Sequence, residues 1–284
     1  MSLDKVSAFV RAAFPELTFN MLEIGARPGA YEPFYKVMNF FPGSQLIGFE
    51  IDPLLCAEMN RNAKPGYQYF SQAIGGANEQ TLFYNTNHPM CSSLLEPDAL
   101  IADLYTSLEV MRTRTTSDLN TLTLDTFSES HGIGPVDFIK IDVQGPELYI
   151  FQAATRMLQS VSFIVTEVEF IELYRDQPLF RDVDAFLSDI GFMFHKFIGF
   201  GTRALKSGHL DNPNNTGSQL MWSDAVFVRD IRRLDAISDH TLIKNAVLAY
   251  AYGSEDLTYF LFERYDQRHP SSNLTAEFGT HMNR

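Results

Sequence analysis

Glycines and acidic residues stand directly after apolar segments, at positions that suit a nucleoside ligand. The segment Leu22–Gly29 runs from an apolar stretch into a turn with Gly25 and Gly29, and glycine there lets a ligand approach the backbone closely. Glu50 follows Gly29 by 21 residues, an offset at which a carboxylate can accept hydrogen bonds from both ribose hydroxyls. The alternatives are that the glycine segment is an ordinary strand–helix turn and that Glu50 is a solvated carboxylate. The third glycine of the dinucleotide motif is missing, which disfavours NAD.

Charged residues also interrupt a near-continuous apolar segment at 136–142. Lys140 and Asp142 are two residues apart, so on a strand they share one face. Buried charges are costly unless paired, which leaves two interpretations. In the first interpretation, Lys140 forms a structural pair with Glu147 or Asp142. In the second, Asp142 lies at the carboxyl edge of a sheet, over the crevice where ligands bind. Glu167, at the end of the next apolar segment, points to the same edge.

The elements that must position these residues are strands alternating with helices. Strands are predicted at 19–24, 45–50, 67–74, 81–84, 136–142, 163–168, 192–197 and 224–228. Helices are predicted at 3–14, 31–41, from residue 53, and at 146–158, 182–190, 240–252 and 257–265. This alternation predicts an α/β fold with a largely parallel sheet covered on both faces. The last two helices form a C-terminal helical appendage that packs on the core or on a second subunit.

In two segments the apolar residues follow neither the period of a helix nor that of a strand. Residues 85–120 mix Asn, Pro, Ser and Thr with apolar patches, and such long excursions are often lids or binding loops. Residues 199–222 contain Asn212-Pro213-Asn214-Asn215, which predicts a mobile loop.

Composition limits the partners and the compartment. The net charge of −13 and the pI near 4.9 disfavour nucleic acid and membrane surfaces, because both are anionic. Cys56 and Cys91 are far apart, so free thiols are expected rather than a disulfide framework or a zinc site. Neither a signal peptide nor an apolar run of membrane-spanning length is evident. A soluble, cytoplasmic protein is therefore expected.

The order of these motifs resembles the FkbM-type methyltransferases over residues 19–229. The block Lys140–Glu147 is the most specific part of the resemblance, and the other matching positions are Leu22–Gly29, Glu50, Gln72–Ile74, Ser92–Leu94, Thr123–Asp125 and Glu172–Tyr174. The resemblance implies a Rossmann-like class I methyltransferase fold, doubly wound, with a mostly parallel seven-stranded sheet. Residues 1–18 would be an N-terminal helix, 19–230 the methyltransferase domain and 231–284 a helical extension.

The resemblance also implies a donor and an acceptor. The donor would be S-adenosylmethionine, with S-adenosylhomocysteine as product, and the acceptor a hydroxyl on a sugar, glycan or natural product. Carried over by position, Glu23, Gly25 and Gly29 would line the amino-acid end of the donor, and Glu50 would hold its ribose. Gln72 and Ala73 would flank the adenine, and Asp142 would face the methyl-transfer site. Pro28, Pro146 and Glu23 depart from the commoner residues of the family without removing a needed group.

Methyl transfer to a hydroxyl needs alignment and benefits from a general base. Asp142 is the first candidate and Glu167 the second. Further substrate-binding candidates are His88, Ser92, Ser93, Lys140 and His195, although His195 stands in an apolar strand that favours a structural role. Asp142 with Glu167 would suit Mg²⁺, but a third ligand is not evident and no metal is expected. An inert or scaffolding relative and an NAD-dependent oxidoreductase stay as alternatives, and the tail and the aromatic content of 13% suggest a homodimer.

Overall fold

The computed structural model describes residues 2–29, 32–207 and 217–282, and a seven-stranded sheet forms its centre. The strands of this sheet are β1 (Asn20–Ile24), β2 (Gln45–Phe49), β3 (Tyr67–Phe70), β7 (Phe138–Ile141), β8 (Phe163–Glu169), β9 (Phe192–Arg203) and β10 (Gln219–Arg229). Their order is β3-β2-β1-β7-β8-β10-β9, and every neighbouring pair is parallel except the two pairs made by β10. The predicted α/β fold with a doubly wound, mostly parallel seven-stranded sheet is confirmed.

Helices cover both faces of this sheet because its strands are apolar on both sides. In each central strand successive residues join different cores: Met21, Phe138 and Phe163 join one, and the residues that follow them join the other. The first core contains residues of α1 (Leu3–Ala13), α2 (Pro33–Phe40) and α8 (Asp239–Ala251). The second contains residues of α5 (Leu124–His131), α6 (Glu147–Gln152) and α7 (Phe180–Asp189).

The C-terminal helices belong to the first of these layers. Leu242, Ile243, Ala246 and Val247 of α8 are fully buried in the same core as Met21 and Phe138. Two further helices, α9 (Glu255–Arg268) and α10 (Leu274–Met282), pack outside α8 and add Phe262 and Phe278 to that core. The predicted appendage therefore packs on the sheet of its own chain, and α10 was not expected from the sequence.

A second, three-stranded sheet accounts for much of the segment between β3 and α5. It consists of β4 (Ala73–Ile74), β5 (Glu79–Thr86) and β6 (Thr113–Leu122) in the order β4-β6-β5. The single strand predicted at 67–74 was wrong, because the chain leaves the large sheet after Phe70 and enters the small one at Ala73. The segment 85–120 is more regular than expected and also carries α4 (Ala99–Leu104).

Smaller differences concern the limits of elements. The helix predicted at 146–158 ends at Gln152, and β9 and β10 extend well beyond their predicted ranges. The remaining helix, α3 (Pro53–Arg61), begins at the predicted proline and packs beside β3. The loop predicted at Asn212–Asn215 lies outside the described residues. Within the described ranges, none of the helices combines the length and apolar character that a bilayer span requires.

Candidate active site

The strand order reverses between β1 and β7, and ligands of doubly wound sheets bind in the crevice at that point. Gly25 follows β1 and Asp142 follows β7, and the Asp142 amide donates to the Ile24 carbonyl over 3.0 Å. Gly25 has φ of +87°, and a Cβ atom added there would lie 2.0 Å from the carbonyl oxygen of Asp142. Glycine is thus required both for the backbone conformation and for the close approach of the two strand ends.

A cleft of about 720 Å³ opens at this edge, and we call it the donor cleft. Six of the residues predicted from the sequence line it: Gly25, Glu50, Gln72, Ala73, Ser92 and Asp142. Apolar walls come from both sheets, with Phe49 from the large sheet and Ile74, Phe83 and Leu119 from the small one. A mostly apolar cleft with a few convergent polar groups is typical of a site for a small organic ligand.

Glu50 offers a carboxylate at the side of the donor cleft. Its Oε1 accepts a hydrogen bond from the Asp52 amide over 2.7 Å, which fixes the side chain. Burial raises the pKa of Glu50 above its usual value. Asp52 is the N-cap of α3, where its Oδ1 accepts from the amides of Leu54 and Leu55. Asp52 therefore caps the N-terminus of α3.

Glu23 and Gly29 lie outside the walls of the donor cleft. The Glu23 side chain is 3% exposed and accepts a hydrogen bond from the Tyr35 hydroxyl, and burial raises its pKa to about 7. Gly29 has φ of +75° with open space around it, so it is the backbone conformation that favours glycine there. Their assignment to the amino-acid end of the donor stays a prediction.

A second cleft of about 1020 Å³ adjoins the first, and we call it the acceptor cleft. The two clefts share Arg27, Met90, Asp142 and Gln144. The other walls of the acceptor cleft are contributed by His88, Cys91, Ser107, Leu108, Val110, Met111, Glu167, Glu169, Leu173, Arg203 and Trp222. The segment 85–120 therefore borders both clefts, as expected of a binding excursion.

Asp142 and Glu167 are the two carboxyls at this junction, and the charges around them act in opposite directions. Burial raises the pKa of Asp142, but Lys140, a hydrogen bond from Gln144 and Arg27 outweigh it and hold that pKa below its usual value. Arg27 Nη2 lies 3.5 Å from Asp142 Oδ2. Burial, followed by the nearby charges of Asp142 and Glu169, raises the pKa of Glu167 well above the usual value. Of the two carboxyls, Asp142 is thus the one whose surroundings favour the ionised form, whereas those of Glu167 favour the protonated form.

Three predicted substrate-binding residues line neither cleft. Lys140 is 5% exposed and its Nζ pairs with Asp224 Oδ1 at 2.7 Å, so its structural partner is neither Glu147 nor Asp142. The Ser93 hydroxyl is buried and donates to the Gln144 carbonyl over 2.7 Å. His195 Nε2 lies 2.9 Å from the Ser254 hydroxyl, which joins β9 to the start of α9.

Two further carboxyls, those of Glu147 and Glu169, lie close enough to Asp142 for their charges to interact with it. Glu147 is buried, and its side chain accepts from the amides of Val143 and Gly145 over 2.8 and 2.9 Å. It thereby closes the turn that follows β7. Glu169, two residues after Glu167 on β8, is 3% exposed and lines the acceptor cleft.

The family described as "Methyltransferase FkbM domain" matches residues 23–194, which is more than half of the chain. The chain belongs to the FkbM methyltransferase family. The fold of this chain and its dependence on S-adenosylmethionine are those of this family. The 2-O-methyltransferase NoeI of Sinorhizobium fredii (strain NBRC 101917 / NGR234) is 26% identical over 172 residues, which cover 57% of this chain and 68% of NoeI.

Solved structures with a similar fold are much more distant from this FkbM methyltransferase. The precorrin-6y C5,15-methyltransferase from Geobacter metallireducens GS-15 is 14% identical with a TM-score of 0.38, over 79% of this chain and 88% of that one. The N-terminal domain of EvdMO1 with SAH bound is 10% identical with a TM-score of 0.36, over 81% and 82%. These TM-scores are low, so the fold assignment rests on the strand order and on the family match.

Two residues of this FkbM methyltransferase site were missed from the sequence. Arg27 borders both clefts and pairs with Asp142, but in the sequence of the turn only the glycines indicate a ligand site. Gln144 borders both clefts as well, and its amide joins Asp142 to Glu167. The available signal was their place directly after β1 and β7, at the edge where ligands bind.

Among the described residues, no group of three or more His, Cys, Asp and Glu side chains is arranged to hold a metal ion. Both cysteines are free thiols, as expected.

Proposed function

We propose that this chain transfers the methyl group of S-adenosylmethionine to a hydroxyl of a sugar, glycan or natural-product acceptor, with Asp142 as general base. The observation that carries the proposal is that Asp142 borders both clefts and is the ionised carboxylate between them. The description of NoeI as a 2-O-methyltransferase supports a hydroxyl acceptor.

The residues of the donor cleft fit the donor by their chemistry. Oε2 of Glu50 can accept a hydrogen bond from a ribose hydroxyl, and Phe49, Ile74 and Leu119 offer apolar surface for a purine. Gln72 uses its amide to donate to the carbonyls of Ala73 and Asn120, so it shapes the wall of the cleft rather than presenting free donors. When bound, S-adenosylmethionine supplies a methyl group that is already activated on a sulfonium.

The protein then has two tasks. The walls of the acceptor cleft orient the hydroxyl in line with the methyl group, which lowers the entropic part of the barrier. Asp142 accepts the hydroxyl proton as the oxygen–carbon bond forms and the sulfur–carbon bond breaks. A base whose pKa lies below neutral pH is ionised and ready before the acceptor arrives.

Calorimetric binding of S-adenosylhomocysteine tests the donor half of the proposal, with NAD as the comparison ligand. Glu50→Ala should weaken S-adenosylhomocysteine binding at least tenfold, because a half-buried carboxylate that accepts from the ribose is lost. Asp52→Ala is the matched control: it should lower the stability by about 1 kcal/mol through the lost N-cap and leave the affinity close to that of the wild type. Equal effects of the two variants, or a preference for NAD, would sink the assignment of this cleft.

A screen of sugars, glycans and natural-product alcohols with methyl-labelled donor tests the acceptor half. Labelled product in which the methyl group is on oxygen supports the proposal. Binding of the donor without transfer to any hydroxyl compound would favour the scaffolding alternative instead.

A further inference from the structure

The backbone at Gln144 has an unusual conformation for its residue type. Its φ is +67°, in the left-handed region, which a residue with a branched or long side chain seldom occupies. Gly145 follows with φ of +118°, so the turn after β7 contains two consecutive residues with positive φ. Glycine would fit position 144 with less strain. A side chain kept there against that preference indicates a task for the side chain itself.

The side chain of Gln144 lies between the two carboxyls of the junction. Its Nε2 atom is 2.9 Å from Asp142 Oδ1 and 2.6 Å from Glu167 Oε2. A primary amide nitrogen carries two hydrogens, so it can donate one to each carboxyl. The amide oxygen lies 3.3 Å from the hydroxyl of Tyr174, which is itself 1% exposed.

The backbone of Gln144 is held as firmly as its side chain. Its carbonyl accepts a hydrogen bond of 2.7 Å from the buried hydroxyl of Ser93, and Ser93 also accepts from the Leu95 amide over 3.0 Å. The segment that borders the acceptor cleft is thereby tied to the turn that carries Asp142. The amide is fixed at both ends and cannot rotate away from the two carboxyls without breaking these contacts.

We propose that Gln144 is the positioning residue of the reaction: its amide bridges Asp142 and Glu167 and fixes the orientation of the base. The inference rests on Asp142 being the base of the proposed function. The charged groups that face Asp142 are Arg27 from the turn after β1, Lys140 from β7, and Glu167 and Glu169 from β8, with Glu147 from α6 and Glu32 before α2.

The contribution of Gln144 can be separated from that of the other groups. Lys140 and Arg27 favour the ionised form of Asp142 through their charges, while Gln144 does so by a hydrogen bond. Its removal should therefore raise the pKa of Asp142 without altering either cation. It should also leave the orientation of the carboxylate less restricted, which lowers kcat more than it changes KM.

Gln144→Gly is the variant of choice, because glycine tolerates the backbone conformation and removes the bridge together with the contact to the Tyr174 hydroxyl. Asp176→Gly is its matched control, since Asp176 also has positive φ, at 55°, and lies exposed away from both clefts. Gln144→Asn keeps an amide that is one methylene too short to reach both carboxyls, and its effect should be intermediate. All three proteins should have thermal midpoints close to that of the wild type.

The first readout is the titration of Asp142 by ¹³C NMR of protein labelled at aspartate carboxyls, with Asp142→Asn to assign the signal. Gln144→Gly should move the Asp142 titration to higher pH, and Asp176→Gly should not. An unchanged titration would overturn the proposal whether or not methyl transfer is detected. The second readout is the pH profile of kcat, in which the acidic limb should move to higher pH and kcat at neutral pH should fall at least tenfold.

The two readouts distinguish this proposal from the proposed function. If the NMR titration moves while the wild type methylates no hydroxyl compound, the bridge stands and the acceptor assignment fails. If the wild type is active and Gln144→Gly keeps both the wild-type kcat and its pH profile, Gln144 has no positioning role.

Discussion

Asp142 and Glu167 share one amide donor, yet their pKa values shift in opposite directions. Asp142 follows a strand that carries Lys140 and faces Arg27, so positive charge stabilises its ionised form. Glu167 is buried beside Asp142 and Glu169, so a second negative charge there is costly. When the environment separates the pKa values of two neighbouring acids, it also separates their roles in catalysis.

This separation leads to a prediction at the residue scale. Asp142→Asn should lower kcat by at least 100-fold, because a general base contributes about 10² to 10⁴ in rate. Glu167→Gln should cost less than tenfold, because glutamine keeps the size of the side chain and an oxygen that can accept from Gln144. Steady-state rates of the two variants, with S-adenosylhomocysteine affinity measured alongside, test it. The reverse order of the two effects would make Glu167 the base.

The residue scale also shows what sequence reasoning reached and what it missed. Glu50, Gln72, Ala73 and Asp142 were found because strand ends of a parallel sheet converge on one edge. Gln144 escaped because nothing in its type marks a bridge, and its positive φ is not encoded by any local preference of glutamine. The partner of Lys140 also escaped, because Asp224 comes from a strand that is distant in sequence.

At the scale of elements, the junction of β1 and β7 depends on one glycine. The space that a side chain would need at Gly25 is filled by the backbone of Asp142, whereas Gly132, at the end of α5, has φ of +64° and nothing within 4 Å. The two glycines share a backbone conformation and differ in their surroundings.

The substitution of each glycine by alanine should therefore have a different result. Gly132→Ala should cost about 1 kcal/mol from backbone strain alone and leave donor affinity unchanged. Gly25→Ala should cost about 1–3 kcal/mol more, because the strand ends must separate, and it should weaken S-adenosylhomocysteine binding at least tenfold. Urea unfolding and calorimetry on both variants check this. Equal losses in stability would show that the close packing at Gly25 does not contribute to the free energy of unfolding.

Helices and strands were predictable where burial requires a regular pattern of apolar residues, and they were missed where it does not. The buried strands β7 and β8 are near-continuous apolar runs, as strands covered on both faces must be. By contrast β6 exposes almost all of Thr113–Asn120, so it has no apolar pattern, and only its pairing with β5 and β4 makes it a strand. Propensity alone is too weak to reveal such a strand.

For the whole molecule, the C-terminal helices act as a structural layer of the methyltransferase domain. Removal of residues 238–284 would uncover Met21, Phe138 and Phe163, none of which is more than 1% exposed. The truncated chain should not unfold cooperatively, and far-ultraviolet circular dichroism during thermal melting tests this. Leu242→Ala in the full chain should cost about 2–5 kcal/mol, while exposed Glu263→Ala should cost almost nothing. A truncated chain that melts like the wild type would make the helices a dispensable extension.

The buried carboxyls make the stability of the whole molecule depend on pH. The pKa values of Glu23 and Glu147 are raised from 4.5 to about 7, mainly by burial, and those of Glu32, Glu50, Glu167 and Glu169 are raised as well. Between the unfolded and the folded pKa the native state binds more protons than the unfolded state. The free energy of unfolding therefore falls as pH rises from 4.5 to about 7. His195, whose pKa is lowered by burial, opposes this trend, but it is a single and only half-buried group.

Urea unfolding at pH 5 and pH 8 should thus show a more stable protein at the lower pH. Glu23→Gln is the sharpest variant, because glutamine still accepts the hydrogen bond of Tyr35 and cannot ionise. It should remove about 2 kcal/mol of the difference between the two pH values. A variant whose stability keeps the full wild-type dependence on pH would mean that Glu23 titrates at its ordinary pKa. The buried acid behind the glycine turn would then be ionised throughout the neutral range, and its contact with Tyr35 would be a charge-assisted hydrogen bond.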